Sequence, residues 1–126
     1  MNIPDEIKFS ADHEWIKVDG NTALIGISDY AQSELGDIVY VDIDSDLSEI
    51  TVNETFGSIE AVKTVSDLYA PISGKVIEIN DRLEDEPELL NSDPYGEGWL
   101  IKIEIFDSSQ LEKLLNGEEY KKQIGG

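Results

Sequence analysis

The chain has 126 residues, of which 28 are Asp or Glu and 9 are Lys or Arg, so its formal net charge at pH 7 is −19. Nine cations are too few to build the basic face that binding to nucleic acid or anionic lipid requires. The absence of Cys excludes disulfides, a thiol nucleophile and Cys-ligated metals, and the single His excludes a His-pair metal motif. With 40% hydrophobic residues, the chain still has enough apolar material for one folded core.

Short runs of alternating hydrophobicity dominate the chain, which is the pattern of an all-β sandwich or barrel. They predict strands at residues 14–18, 22–27, 37–44, 55–62, 65–70, 75–80 and 99–106. Asp19-Gly20 predicts a hairpin between the first two strands, and residues 62–65 predict a tight reversal between the fourth and the fifth. Strict alternation in the third strand would set Ile38 and Tyr40 on one face and Val41 on the other.

Short helices are predicted between and after these strands. They fall at residues 29–35, at 87–90, from Asp107 through Leu115, and just after Asn116. Ser28 is placed to cap the first helix, and Gly36 to end it. A capping-box spacing begins the last two helices, at Asp107–Gln110 and Asn116–Glu119. Residues 81–86 are predicted to form an acidic loop.

Lys63 is the residue that most suggests a function, because it lies in the tight reversal between two predicted strands. A hairpin tip holds a lysine at a defined place while its side chain extends into solvent. The amine can form an amide with a carboxylic acid cofactor, and the four-carbon stem lengthens the resulting arm. A turn lysine taken alone is usually an ordinary solvated side chain, so the flanking sequence has to decide.

The segment that flanks Lys63 is FGSIEAVKTVSDLYAPISG, at residues 56–74. This segment closely resembles the lipoylation segment of glycine cleavage system H proteins. Two further blocks resemble the same family in the same order and spacing; one begins at His13-Glu14-Trp15, and the other covers residues 87–100. The resemblance covers roughly residues 8–122.

The resemblance implies a mainly β fold, the lipoyl/biotinyl-type flattened β-barrel or barrel-sandwich hybrid, with short added helices. We therefore expect residues 1–126 to form a single lipoyl-carrier domain. Its core is expected at about 8–106, and its C-terminal helices at about 107–122.

The resemblance also implies a carrier and not an enzyme, with lipoic acid attached to Lys63 by a lipoyl/octanoyl transferase or a lipoate ligase. In this family the lipoyl disulfide accepts the aminomethyl group of glycine from a pyridoxal-phosphate-dependent glycine decarboxylase, the P protein. A tetrahydrofolate-dependent aminomethyltransferase, the T protein, takes up the one-carbon unit, and dihydrolipoamide dehydrogenase, the L protein, reoxidises the dithiol. The lack of Cys fits this role, since the cofactor supplies the redox sulfurs.

Three carboxylates acquire roles through the resemblance. Glu60, three residues before the lysine, matches a position used for recognition by the lipoylating enzyme, although a solvated strand carboxylate would look the same. Glu14 matches a carboxylate that receives the amine of the loaded arm, as charge-assisted pairing would favour. Asp67 is expected to line the same cleft. Asp12 departs from the small hydroxyl residue that relatives often have, and His13 is interpreted as a surface or structural histidine.

Several alternatives can be compared at Lys63. A biotin carrier domain shares the fold but flanks its lysine with methionines, and here the flanks are Val62 and Thr64. A lipoyl domain of a 2-oxoacid dehydrogenase typically has Asp just before the lysine. A Schiff-base enzyme needs a desolvated lysine, which a hairpin tip beside Glu60 and Asp67 does not provide. An H-like protein that relays lipoyl or octanoyl groups to other enzymes would use the same lysine and stays open, as does a purely structural interaction module.

The remaining expectations concern location and charge. No apolar run approaches about 18 residues, and residues 1–6 resemble neither a secretory nor a mitochondrial targeting peptide. We therefore expect a bacterial cytoplasmic protein, with a trimmed mitochondrial form left open, and a monomer with no membrane or nucleic-acid partner. Residues 1–100 hold 23 acids against 5 bases, which suggests electrostatic steering toward basic partner surfaces.

Overall fold

Nine strands dominate the computed structural model, which describes residues 7–125. In chain order they are β1 (Lys8–Phe9), β2 (Glu14–Asp19), β3 (Thr22–Ile27), β4 (Ile38–Asp42), β5 (Glu49–Ile50), β6 (Thr55–Ala61), β7 (Val65–Tyr69), β8 (Gly74–Ile79) and β9 (Ile101–Ile105). The larger sheet has the order β1-β2-β3-β9-β8-β5, and the smaller sheet has the order β4-β6-β7. Every strand pair is antiparallel, and the two sheets do not close into one barrel, an arrangement that fits a flattened barrel-sandwich. The prediction about a targeting peptide concerns residues 1–6, which lie outside the described range.

The helices are short and lie at the ends of the sheets. They are α1 (Asp29–Leu35), α2 (Arg82–Asp85), α3 (Leu89–Ser92), a 3-10 helix (Ser108–Lys113) and α4 (Gly117–Gln123). Ser28 caps α1 by accepting a hydrogen bond from the amide of Ala31, and Gly36 ends the helix with a φ of 78°, so both predicted caps are confirmed. The capping box of α4 is confirmed as well, with Asn116 and Glu119 in reciprocal hydrogen bonds.

The predicted hairpin between β2 and β3 is confirmed. Asp19 pairs with Thr22, so only Gly20 and Asn21 make the turn. Gly20 has a φ of 62°, which a residue with a Cβ rarely adopts and which two-residue hairpin turns require.

Strict alternation in β4 was a wrong expectation. The pairing of β4 with β6 shifts between Ile38 and Tyr40, so one extra residue bulges out of the strand. As a result Ile38 and Val41 are both buried, whereas Val39 and Tyr40 are both about half exposed, at 51% and 48%. The bulge therefore turns Tyr40 to the surface and keeps Ile38 and Val41 packed on the core.

Two helix predictions are corrected by tertiary contacts. Residues 81–86 are not an acidic loop, because α2 forms there and buries Leu83 in the core. Residues after Asp107 form a 3-10 helix without a capping box, since Asp107 accepts from the amide of Ser109. The side chain of Gln110 points away to accept a hydrogen bond from the amide of Ser73, at 2.7 Å.

Two hydrophobic clusters hold the fold together. The main core lies between the sheets and includes the fully buried residues Ile16, Ile25, Ile59, Ile72, Leu90, Ile101 and Ile103. The second cluster joins the early and late parts of the chain, because Tyr120 of α4 stacks on Phe9 with ring centroids 4.3 Å apart. Phe9 also forms an antiparallel bridge with Leu115, and Trp15 is buried beside them. The second cluster thus attaches α4 to β1 and β2.

Candidate functional site

Lys63 lies at the tip of the hairpin that joins β6 to β7, as predicted. Glu60 pairs with Val65, and the amide of Ala61 donates to the carbonyl of Thr64 at 2.8 Å, which closes the tight reversal. The side chain of Lys63 is exposed. The ion pairs within residues 7–125 both belong to Arg82, and no side-chain hydrogen bond is seen at Lys63. Its amine is therefore open to solvent and to a modifying enzyme.

A groove runs beside Lys63 along the end of α1. Its lining residues are Ser33, Glu34, Leu35, Gly36, Asp37, Val62 and Lys63, and its volume is about 450 Å³. The amide of Val62 donates to the carbonyl of Asp37 at 3.1 Å, so the hairpin leans on the segment after the helix. Glu34 and Asp37, together with the carbonyl end of α1, make this groove electronegative. No sequence motif marks these two carboxylates: Glu34 lies in the last turn of α1, and Asp37 lies between that helix and β4.

Glu60 and Asp67 lie on the outer face of the smaller sheet. Residues directly opposite each other on neighbouring strands share a face of the sheet. Two such rows cross the outer face, and they are Tyr40–Glu60–Val65 and Asp42–Ser58–Asp67. Both carboxylates are exposed, and Glu60 lies between two exposed apolar side chains.

Glu14 begins β2 and is buried, with 2% of its surface exposed. Its Oε2 accepts a hydrogen bond from the amide of Tyr69 at 2.9 Å, and its Oε1 accepts from the hydroxyl of Ser10 at 3.3 Å. Burial raises the pKa of Glu14 to about 8; the Tyr69 hydrogen bond opposes this rise, and the negative charge of Asp12 adds to it. Glu14 is therefore mostly protonated at pH 7, and it connects the larger sheet to β7, the edge strand of the smaller one.

The structure places the predicted site residues in separate surroundings. The cavity that Asp67 lines has a volume of about 620 Å³, is shared with Asp42, Asp44 and Glu84, and includes neither Glu14 nor Lys63. The groove at Lys63 likewise includes neither Glu14 nor Asp67. The shared cleft for Glu14 and Asp67 thus stays a prediction.

His13 is bound within the fold by its neighbours. Its Nδ1 lies 2.9 Å from the hydroxyl of Tyr120, which in turn lies 2.6 Å from the hydroxyl of Ser28. Its φ of 69° is a left-handed conformation that a non-glycine residue seldom adopts, and its carbonyl accepts from the amide of Ser28. Burial lowers the pKa of His13 despite the nearby charges of Asp12 and Glu34. These contacts give His13 a structural place in the fold.

Residues 7–125 contain neither a metal-binding cluster nor a membrane-spanning helix. No group of three or more His, Cys, Asp or Glu side chains there could hold a metal ion. None of the helices there has the length and the apolar character that crossing a membrane requires.

A lysine at the tip of a hairpin in a two-sheet β domain is the arrangement of lipoyl- and biotinyl-type carrier domains. A family model described as "Glycine cleavage H-protein" matches residues 7–125. Among solved structures, the chain is similar to a glycine cleavage system H protein from Mycobacterium marinum, with 36% sequence identity and a TM-score of 0.89. That similarity covers 98% of this chain and 100% of the other. The chain belongs to the glycine cleavage H-protein family.

Membership confirms both the family resemblance and the predicted fold class. H proteins are a carrier component of the glycine cleavage system, and the family carries lipoate. The residues present here fit that group, because Lys63 offers an exposed amine at a hairpin tip that several hydrogen bonds hold in place.

Proposed function

We propose that this chain carries lipoate in amide linkage on Lys63 and serves as the lipoyl carrier of glycine cleavage. One observation supports the proposal above all others: the exposed side chain of Lys63 at the tip of a supported hairpin. Bound there, lipoate would supply a disulfide that takes up the aminomethyl group of glycine. The chain itself would supply a fixed attachment point, which keeps the arm at a high effective concentration near each docked partner.

The partners would be the glycine decarboxylase, the aminomethyltransferase, dihydrolipoamide dehydrogenase and the enzyme that attaches the lipoyl group. Glu60 is proposed to take part in recognition by the attaching enzyme. Its support is the exposed position of Glu60 three residues before Lys63, between Tyr40 and Val65 on one face of the sheet. A monomeric state, a single carrier domain and a cytoplasmic location stay predictions.

The groove beside Lys63 is proposed to hold the loaded arm, whose amine is a cation at pH 7. Glu34 and Asp37 would attract that amine by charge, as the carbonyl end of α1 would. Glu14 does not line this groove. It is proposed as an alternative acceptor in a separate cleft, where the amine would have to displace the Tyr69 amide or the Ser10 hydroxyl from the carboxylate. Asp67 is kept in the same proposal as a wall of that cleft.

The exchange of glycine carboxyl carbon with bicarbonate, catalysed by a cognate decarboxylase, tests the proposed function. The lipoylated protein should stimulate the exchange, because the decarboxylase needs an acceptor for the aminomethyl group. The unmodified protein at the same concentration is the matched control and should not stimulate it. Equal, background-level exchange with both forms would instead favour a relay of lipoyl or octanoyl groups to other enzymes.

Ionic strength should affect the same exchange. The formal charge of −19 should steer the carrier toward basic docking surfaces, and salt screens such attraction over about 8–10 Å at physiological strength. We expect the exchange rate at limiting carrier to fall as salt rises from about 20 to about 300 mM, mainly through the apparent KM. A flat profile would leave the charge with a role in solubility alone.

A further inference from the structure

Asn91 uses the whole of its side-chain amide to hold the connection between α1 and β4. Its Oδ1 accepts a hydrogen bond from the amide of Ile38 at 3.0 Å. Its Nδ2 donates to the carbonyl of Gly36 at 2.9 Å and to Oε1 of Gln32 at 3.0 Å. Both donor hydrogens of the amide are therefore engaged, and so is its acceptor.

Asn91 binds residues 36–38, and this segment is also hydrogen-bonded to the hairpin that carries Lys63. Asn91 grips the residues on either side of Asp37, and the carbonyl of Asp37 accepts the amide of Val62, the neighbour of Lys63. Ile38 also pairs with Ala61 at the end of β6. The hairpin has its own closing bond from Ala61 to Thr64, so the Asp37 carbonyl is its support from outside the hairpin.

The backbone of Asn91 is itself fixed independently of the hairpin. The preceding residue, Leu90, is completely buried in the main core. Behind it, the amide of Asp93 donates to the carbonyl of Leu89 at 2.9 Å and ends α3. A side-chain amide on such a rigid base can transmit its position through Asp37 to the hairpin tip.

We infer that Asn91 is a positioning residue for Lys63: it fixes residues 36–38 so that the hairpin presents the lysine amine at one place to the attaching enzyme. The kinetic part of the test below rests on the proposed lipoylation of Lys63, whereas its hydrogen-exchange part does not. The sequence around Lys63 does not reveal this role, because Asn91 acts through Ile38, a contact between residues 53 positions apart.

The test compares Asn91→Ala and Asn91→Asp with a matched control, Asn80→Ala. Asn80 is also an asparagine whose Nδ2 donates to two backbone carbonyls, those of Glu97 and Trp99, both at 2.8 Å. Its Oδ1 accepts from the amide of Arg82, so these side-chain hydrogen bonds support α2 and the entry to β9 and not the hairpin. Asn91→Asp keeps an acceptor for Ile38 and so preserves the start of β4 where alanine would not.

Lipoylation kinetics with a lipoate ligase and free lipoate are the first readout. Both Asn91 variants should raise the KM for the carrier by roughly 2- to 10-fold, with kcat nearly unchanged, because fewer molecules present the lysine correctly. Asn80→Ala should lower the Tm by a similar amount and leave this KM at the wild-type value. An equal KM for all four proteins would overturn the inference, and so would an equal rise in Asn80→Ala.

Amide hydrogen exchange at Val62 is the second readout and needs no lipoate. Its protection should fall in the Asn91 variants relative to that of Ile59 in β6, and should be unchanged in Asn80→Ala. Unchanged protection at Val62 in both Asn91 variants would overturn the inference. Should the wild type accept no lipoate at all, the proposed function would fail while this measurement still decided the role of Asn91.

Discussion

A Lys63→Arg variant should lose lipoylation completely. Purified from a lipoate-replete host, the wild type should show the mass of one lipoyl adduct, and the variant should show the unmodified mass. Arginine keeps the positive charge and the length of the side chain, but its guanidinium is not the amine that the amide bond requires. Because the side chain at position 63 is exposed, stability should change by no more than about 0.5 kcal/mol.

Lys75→Arg is the matched control for this measurement. Lys75 is also exposed, at the start of β8, and lies outside the hairpin. It should keep the full adduct and the exchange activity that Lys63→Arg loses. An adduct that persists in Lys63→Arg would contradict the central assignment. Capture of the wild type by streptavidin would point to biotin on the same lysine.

A Glu14→Gln variant should change how stability depends on pH. Burial raises the pKa of Glu14 from 4.5 to about 8, so between these values the folded state binds more protons than the unfolded state. The wild type should therefore lose stability relative to the variant as pH rises through this range, by at most about 1.4 kcal/mol per pH unit. Gln resembles the protonated carboxyl and still offers an oxygen to the amide of Tyr69, so the variant lacks this slope.

Urea unfolding at pH 5, 6, 7, 8 and 9 measures the difference. The free energy of unfolding of the variant should rise relative to that of the wild type up to about pH 8, and above that value the difference should stay constant. Glu60→Gln removes one negative charge from an exposed position and serves as the control for net charge. If the free energies of unfolding of wild type and Glu14→Gln differed by the same amount at every pH from 5 to 9, Glu14 would be ionised in the folded protein over that whole range.

The same variant also tests whether Glu14 receives the amine of a loaded arm. An ammonium beside Glu14 would favour ionisation of the carboxyl, and Gln cannot ionise. Glu14→Gln should therefore accept lipoate normally but release the aminomethyl group faster than the wild type does. An unchanged release rate would count against this role.

Much of the fold could be predicted from the sequence because its signals are local. The Gly20 turn, the Ser28 cap and the Asn116 capping box each depend on a few neighbouring residues. The bulge in β4 could not be predicted, because it arises from pairing with β6, whose residues lie about 20 positions later. The helix α2 could not be predicted for a similar reason: its sequence is strongly charged, and its anchoring in the core by Leu83 is a tertiary contact.

The site divides in the same way. Lys63 was predictable since a tight turn and its flanking residues are contiguous. The burial of Glu14 was not, because its main partner, the Tyr69 amide, is 55 residues away and belongs to the other sheet. The acidic groove beside Lys63 likewise combines the end of α1 with the hairpin, and the sequences of these two segments do not indicate that they lie side by side.

The stacking of Tyr120 on Phe9 has a consequence for the order in which the chain matures on the ribosome. Phe9 and Trp15 are synthesised about 100 residues before α4, the helix that covers them. At a translation rate of about 5–20 residues per second, these two aromatic side chains remain uncovered for several seconds before Tyr120 is made. The two facing sheets can assemble from residues already synthesised, but the second cluster is complete only after α4 has been made. Nascent chains that stall short of residue 120 therefore expose two large aromatic rings, the kind of surface that holdase chaperones bind.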